Sequence, residues 1–171
     1  MDLRFVPRDL KRLDQISSEV LVAPVVQDER PPTGVAGLVD WRLSGQVSRV
    51  VKSGFFLGEL CETLLLPSRA VLPFDKTLVF GCGPKASFDE RTFLTALDGI
   101  RSVLKGLKAV HAVVELPGRH LDLISAERAV DLLLERAQGD GDSSTWTLVD
   151  TPQAQQTLTD RRLRERRQLV P

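Results

Sequence analysis

Two short apolar runs, TLVFGCG (77–83) and VHAVVEL (110–116), flank a segment in which Phe93, Leu97, Ile100, Leu104 and Leu107 recur at spacings of three and four. β-Branched residues dominate the runs and polar ones gather at their ends, which predicts buried strands. The spacing between them places one apolar stripe on a helix starting near Asp89. Ser87 and Glu90 fit a capping box at its start. Two strands joined by such a helix predict a parallel pair, neighbours in one sheet with a right-handed crossover, and hence an α/β domain.

The same pattern extends along the chain. LRFV (3–6) predicts a first short strand, with Pro7 suited to its end or to a sheet edge. Residues 19–26 carry Val20, Leu21, Val22, Val25 and Val26 on both strand phases, as in a strand covered on both faces. A breaker-rich loop, DERPPTG (28–34), follows it. Residues 34–54 read as one helix, or as two broken near Gly45, with Leu38, Trp41 and Leu43 in a first apolar patch and Val47, Val50 and Val51 in a second. Thr63–Leu66 predicts a strand stopped by Pro67, whereas Phe55–Cys61 is ambiguous between an irregular segment and an edge strand. Ser125 suits the N-cap of a helix burying Ala126, Ala129, Val130, Leu133 and Ala137. A glycine-rich turn (138–144) leads to a last strand, TWTLV (145–149), with Trp146 and Leu148 on one side. Together these elements predict one mixed sheet flanked by helices, with a domain over residues 1–150 and a tail, helical or disordered, over 151–171.

Charge changes the picture at one place. The 23 basic and 23 acidic residues balance, so no global field recruits nucleic acid or a membrane. The tail, however, sets five arginines, Arg161, Arg162, Arg164, Arg166 and Arg167, against Asp160 and Glu165. These arginines are the nucleic-acid candidates, and a solvated tail is the competing expectation. Cys61 and Cys82 form no disulfide scaffold and read as small buried hydrophobes, which suits a reducing cytoplasm. Neither an export signal nor a membrane span is apparent.

The candidate chemistry is sparse. His111 and His120 form no metal-ligand motif with the cysteines, so no metal, cofactor or catalytic residue is expected. His111 reads as a strand residue against a covering helix, and His120 as a solvent-exposed loop residue. GCGPKA (81–86) follows a strand and precedes a helix, so backbone N–H groups at Gly81 and Gly83, with Lys85, are candidates for cradling an anion. Gly118 and Arg119 in PGRH (117–120) form a second candidate of that kind. GCGPKA matches neither the three-glycine dinucleotide signature nor a phosphate loop.

EVLVAPVVQDERPPTGVAGLVDWRLSGQVSRV (19–50) and LPFDKTLVFGCGPKASFDERTFLTAL (72–97) resemble the amino-terminal domain of the cytosol (leucyl) aminopeptidase family. The most specific element is Asp28-Glu29-Arg30-Pro31 followed by Gly37-Leu38-Val39-Asp40-Trp41. The resemblance implies a macro-domain-like three-layer fold with a mixed, mostly parallel sheet. In that family the metal-binding carboxylates and lysine lie in a separate carboxy-terminal domain, so none carries over and a free-standing, non-catalytic relative is expected. The amino-terminal domains of the full-length enzymes help to shape a hexamer. A protein-interaction or self-associating module is therefore the leading expectation, with Asp28, Glu29, Arg30, Asp40, Trp41 and Arg42 as contact candidates. The competing structural reading pairs Arg30 with Asp40 and buries Trp41 in the core. The alternative function is a macro-like binder of ADP-ribose, another nucleotide or a small anion at Gly81–Lys85 and Pro117–Arg119.

Overall fold

The apolar runs become six strands of one sheet in the computed structural model, which describes residues 1–68, 71–137 and 144–159. The strands are β1 (Asp2–Pro7), β2 (Ser18–Val25), β3 (Thr63–Pro67), β4 (Phe74–Gly81), β5 (His111–Val114) and β6 (Thr145–Asp150). The helices are α1 (Leu10–Leu13), α2 (Gly34–Arg42), α3 (Gln46–Lys52), α4 (Glu90–Gly106), α5 (Ala126–Ala137) and α6 (152–159). The sheet order is β1-β6-β5-β2-β4-β3, and every neighbouring pair is parallel except β3 with β4.

The alternation of side chains across the strands builds two cores. Val20, Val22, Leu78, Phe80, Ala112, Val114, Trp146 and Leu148 face α4 and α5. Leu21, Ala23, Val25, Val79 and Val113 face α2 and α3, where Val35, Ala36, Val39, Val47 and Val51 are buried. Helices on both faces explain why β2 is apolar on both phases. Leu158 of α6 joins the first core, so buried structure continues past residue 150.

Several expectations are corrected. β4 and β5 are not neighbours, because β2 lies between them; α4, at 17 residues, is long enough to carry the chain over an intervening strand. The N-cap of α4 is Asp89, whose carboxylate accepts the Thr92 N–H at 2.7 Å, rather than Ser87 with Glu90. Ser125 does accept from the Arg128 N–H, at 3.3 Å. Residues 55–61 are irregular. The glycine-rich turn falls, apart from Ser144, outside the described residues, and Arg161, Arg162, Arg164, Arg166 and Arg167 all do.

Arg30 and Asp40 do not pair. Arg30 donates to the Glu29 and Leu57 carbonyls, while Asp40 accepts from the Ser48 N–H. Trp41 is 69% exposed rather than in the core, because Val35, Ala36 and Val39 supply the buried face of α2; the Arg42 guanidinium lies 5.1 Å over its ring. Truncating a core Trp costs about 3–5 kcal/mol. Trp41→Ala is therefore expected to lower stability by about 1 kcal/mol or less, the scale of an exposed cation–π contact, as read by urea denaturation.

Candidate functional site

The five parallel strands end at one rim of the sheet, the edge at which α/β domains gather their ligand groups. Their continuations bring Arg8, Glu29, Glu115, Arg119, His120 and Asp150 together. Glu115 follows β5 directly, and its side chain is fully buried. Arg8 Nε stands 2.6 Å from Glu115 Oε1, and the Val35 N–H in the first turn of α2 donates to Glu115 Oε2 at 3.0 Å. The amino end of α2 therefore already holds an anion, one supplied by the chain itself.

His120 closes the gap between two loops. Its Nε2 lies 2.8 Å from Glu29 Oε2 and its Nδ1 3.8 Å from Glu115 Oε2, with the ring wholly buried. This corrects the expectation of a solvent-exposed His120. Glu29 also accepts from the Thr33 hydroxyl. Alongside, Arg119 makes a two-point pair with Asp150, Nε to Oδ2 at 2.7 Å and Nη2 to Oδ1 at 3.0 Å, and donates through Nη1 to Asp122 and the Ile124 carbonyl.

These contacts set the ionisation of the rim. Burial raises the Glu115 carboxyl above its ordinary range, with the charges of Arg8 and His120 opposing that effect. Burial also acts upward on Glu29, but hydrogen bonds from His120 and Thr33 outweigh it and leave that carboxyl below its usual value. Glu29 thus contributes stability that is complete above its ordinary pKa and is lost as pH falls through its lowered native value. Glu115 has the opposite sign: its ionisation costs stability as pH rises through the raised value. Urea midpoints between about pH 6.5 and about pH 3.5 are expected to fall less steeply in Glu29→Gln than in the native chain.

The glycine segments are occupied in the same manner. The Gly81 N–H donates to the Glu62 carbonyl at 2.8 Å, Cys82 to Val25 at 2.9 Å and Gly83 to Gly58 at 3.0 Å. Pro84 has no N–H, and the Lys85 N–H donates to the Asp28 carboxylate at 2.9 Å. At the second segment, the Arg119 N–H reaches the Leu116 carbonyl at 3.2 Å. Cys82 is buried, and burial together with the Glu115 charge pushes its thiol up to about 12, the opposite of a reactive thiolate. Cys61 is exposed rather than buried, its thiol 3.7 Å from the Thr95 carbonyl, and His111 is exposed at the start of β5 rather than packed under a helix. Among the described residues no group of three His, Cys, Asp or Glu side chains is placed to hold a metal ion, and no helix is long and apolar enough to cross a membrane. A hollow of about 560 Å³, lined by Leu104, Lys105, Lys108, Val110 and Trp146, opens at the opposite ends of β5 and β6, away from this cluster.

The sequence marks Asp28, Glu29 and Arg119 as candidates but does not single out Arg8, Glu115 or Asp150. The signal for Glu115 was present: a carboxylate inside VHAVVEL, a run with no wet face, must find an internal partner.

A family model described as the cytosol aminopeptidase family, N-terminal domain, matches residues 21–138. A probable cytosol aminopeptidase of Halorhodospira halophila is 31% identical over 113 residues, 64% of this chain and 23% of that protein. The chain thus spans less than a quarter of that relative's length. Among solved structures, the macrodomain of Mycobacterium tuberculosis DarG superposes with a TM-score of 0.66 at 14% identity, covering 85% of this chain and 96% of that one. The Oceanobacillus iheyensis macrodomain with ADP superposes with a TM-score of 0.65 at 11% identity, covering 90% and 88%. At these identities the likeness establishes the fold: a macrodomain-like three-layer architecture.

Proposed function

Because the chain belongs to the cytosol aminopeptidase family through its N-terminal domain, we propose that it is a non-catalytic binding module of macrodomain architecture whose ligand is a protein docked along the β3 edge. One observation carries this reading. Of the seven large apolar side chains exposed among the described residues, Phe55, Leu57, Leu60, Leu65 and Val71 fall in one stretch of 17 residues that forms β3 and its flanks. β3 is also an outer strand of the sheet, and an uncovered outer strand is a template for pairing.

The comparisons favour a second reading, a nucleotide or small-anion site at the rim, since the fold is that of macrodomains and one of them is described with ADP. The internal use of Asp28, Glu115 and Arg119 is why the protein-contact reading stands first. Calorimetric titration with ADP-ribose and with ADP separates the two. No saturable heat is expected. Saturable binding of either nucleotide would replace this reading with the second.

A further inference from the structure

Backbone hydrogen bonds reveal which groups of β3 point outward. The Gly81 N–H donates to the Glu62 carbonyl and the Ser68 N–H to the Asp75 carbonyl, and both pairs keep the antiparallel register of β3 with β4. Hydrogen-bonded pairs alternate along such a ladder, so residues 62, 64, 66 and 68 turn their backbone groups toward β4. Thr63, Leu65 and Pro67 therefore turn theirs away from the sheet. The outward edge offers N–H groups at Thr63 and Leu65 and carbonyls at Thr63, Leu65 and Pro67, which has no N–H to offer.

Both ends of this window are closed. At one end the ladder is bulged: Cys61 donates to the Gly81 carbonyl while the Glu62 N–H turns to Glu59. At the other, Pro67 ends the row of donors. The window is centred on Leu65 and carries no charged side chain. The adjoining Glu62 carboxylate is turned back onto the N–H groups of Leu57, Gly58 and Glu59, at 2.9, 2.8 and 3.1 Å. The chain as a whole has a formal net charge of zero, so two copies approach without net repulsion.

Resting on the protein-contact reading above, we infer that the docked protein is a second copy of this chain, its β3 antiparallel to the first about a two-fold axis at Leu65. In that register each Leu65 N–H meets the Leu65 carbonyl of the other copy, and each Thr63 N–H meets the other copy's Pro67 carbonyl. The donor missing at Pro67 falls opposite a Thr63 carbonyl at the end of the window, where water reaches it. Leu65, 41% exposed in the single chain, is then covered by its own symmetry mate, and two six-stranded sheets become one.

Sedimentation equilibrium of the full chain tests this, with Leu65→Lys as the edge-blocking variant and Trp41→Ala as a control on a different exposed residue. The native chain and Trp41→Ala are expected to sediment as dimers, and Leu65→Lys as a folded monomer whose melting temperature, unlike that of the native chain, does not rise with protein concentration. Two buried ammonium groups facing each other at the axis should weaken association by roughly 100-fold or more. A native chain that stays monomeric, or a Leu65→Lys chain that dimerises as well as the native one, overturns the inference. A photo-crosslinking residue at position 65, introduced in the source cells, separates this failure from that of the underlying reading. An adduct of twice the chain mass supports self-pairing. An adduct to a different protein ends self-pairing and keeps the contact reading, and no adduct ends both.

Discussion

Gly34→Ala is expected to destabilise the fold by about 3–5 kcal/mol, through a single added methyl group. Gly34 opens α2 with φ at +59°, a conformation that costs an L side chain roughly 1–2 kcal/mol. The larger effect is spatial. A Cβ at this position would lie 2.6 Å from both Glu115 Oε2 and His120 Cβ. His120 Cβ is fixed to its backbone and Glu115 is fully buried, so relief requires the carboxylate to leave the Val35 N–H and Arg8. A buried charge separated from its partners costs about 3–5 kcal/mol, and incomplete separation is why the total is not the full sum. Equilibrium urea denaturation reads the change. A loss near 1 kcal/mol would mean that only the backbone strain is felt and that the carboxylate cluster adapts freely.

Arg119→Ala is the second large effect, expected at about 3 kcal/mol or more, because it strands Asp150. Arg119 is the only group within 3 Å of both Asp150 carboxylate oxygens among the described side chains, while Arg8 approaches Oδ1 at 3.9 Å. The cost is expected to belong to the unpaired charge more than to the lost pair. Arg119→Met combined with Asp150→Leu should therefore recover much of the stability lost in Arg119→Ala, since apolar replacement of a buried ion pair is often neutral. A double-mutant cycle on urea denaturation measures this coupling. If Arg119 instead serves a bound anion and little else, Arg119→Ala leaves stability within about 0.5 kcal/mol of the native chain.

The apolar run of β2 announced a strand covered on both faces, and Val20, Val22, Leu21 and Ala23 do divide between the two cores. The stripe from Phe93 to Leu104 announced α4 and its buried side. The resemblance carried by DERP and GLVDW pointed to the right family and architecture. The position of β2 between β4 and β5 was not legible, because periodicity reports which face of an element is buried and not which element lies beside it. The same limit explains Trp41, which an apolar pattern assigns to a core and which faces solvent, since Val35 and Val39 already fill the buried side of α2.

By itself, then, the sequence determined the elements, their apolar faces and the class of fold, because these follow from the local spacing of side chains along a helix or strand. Tertiary structure alone decided the character of the rim. His120 is a solvent-exposed loop residue in the sequence and a buried bridge in the fold, because Glu29 and Glu115, 86 positions apart in the chain, converge on it from two loops. The glycine segments suggest an open anion cradle until Asp28 and the carbonyls of Val25 and Gly58 are found on their amides. Hydrogen-bond donors are a property of residue type, whereas their availability depends on which distant acceptors the fold brings to them.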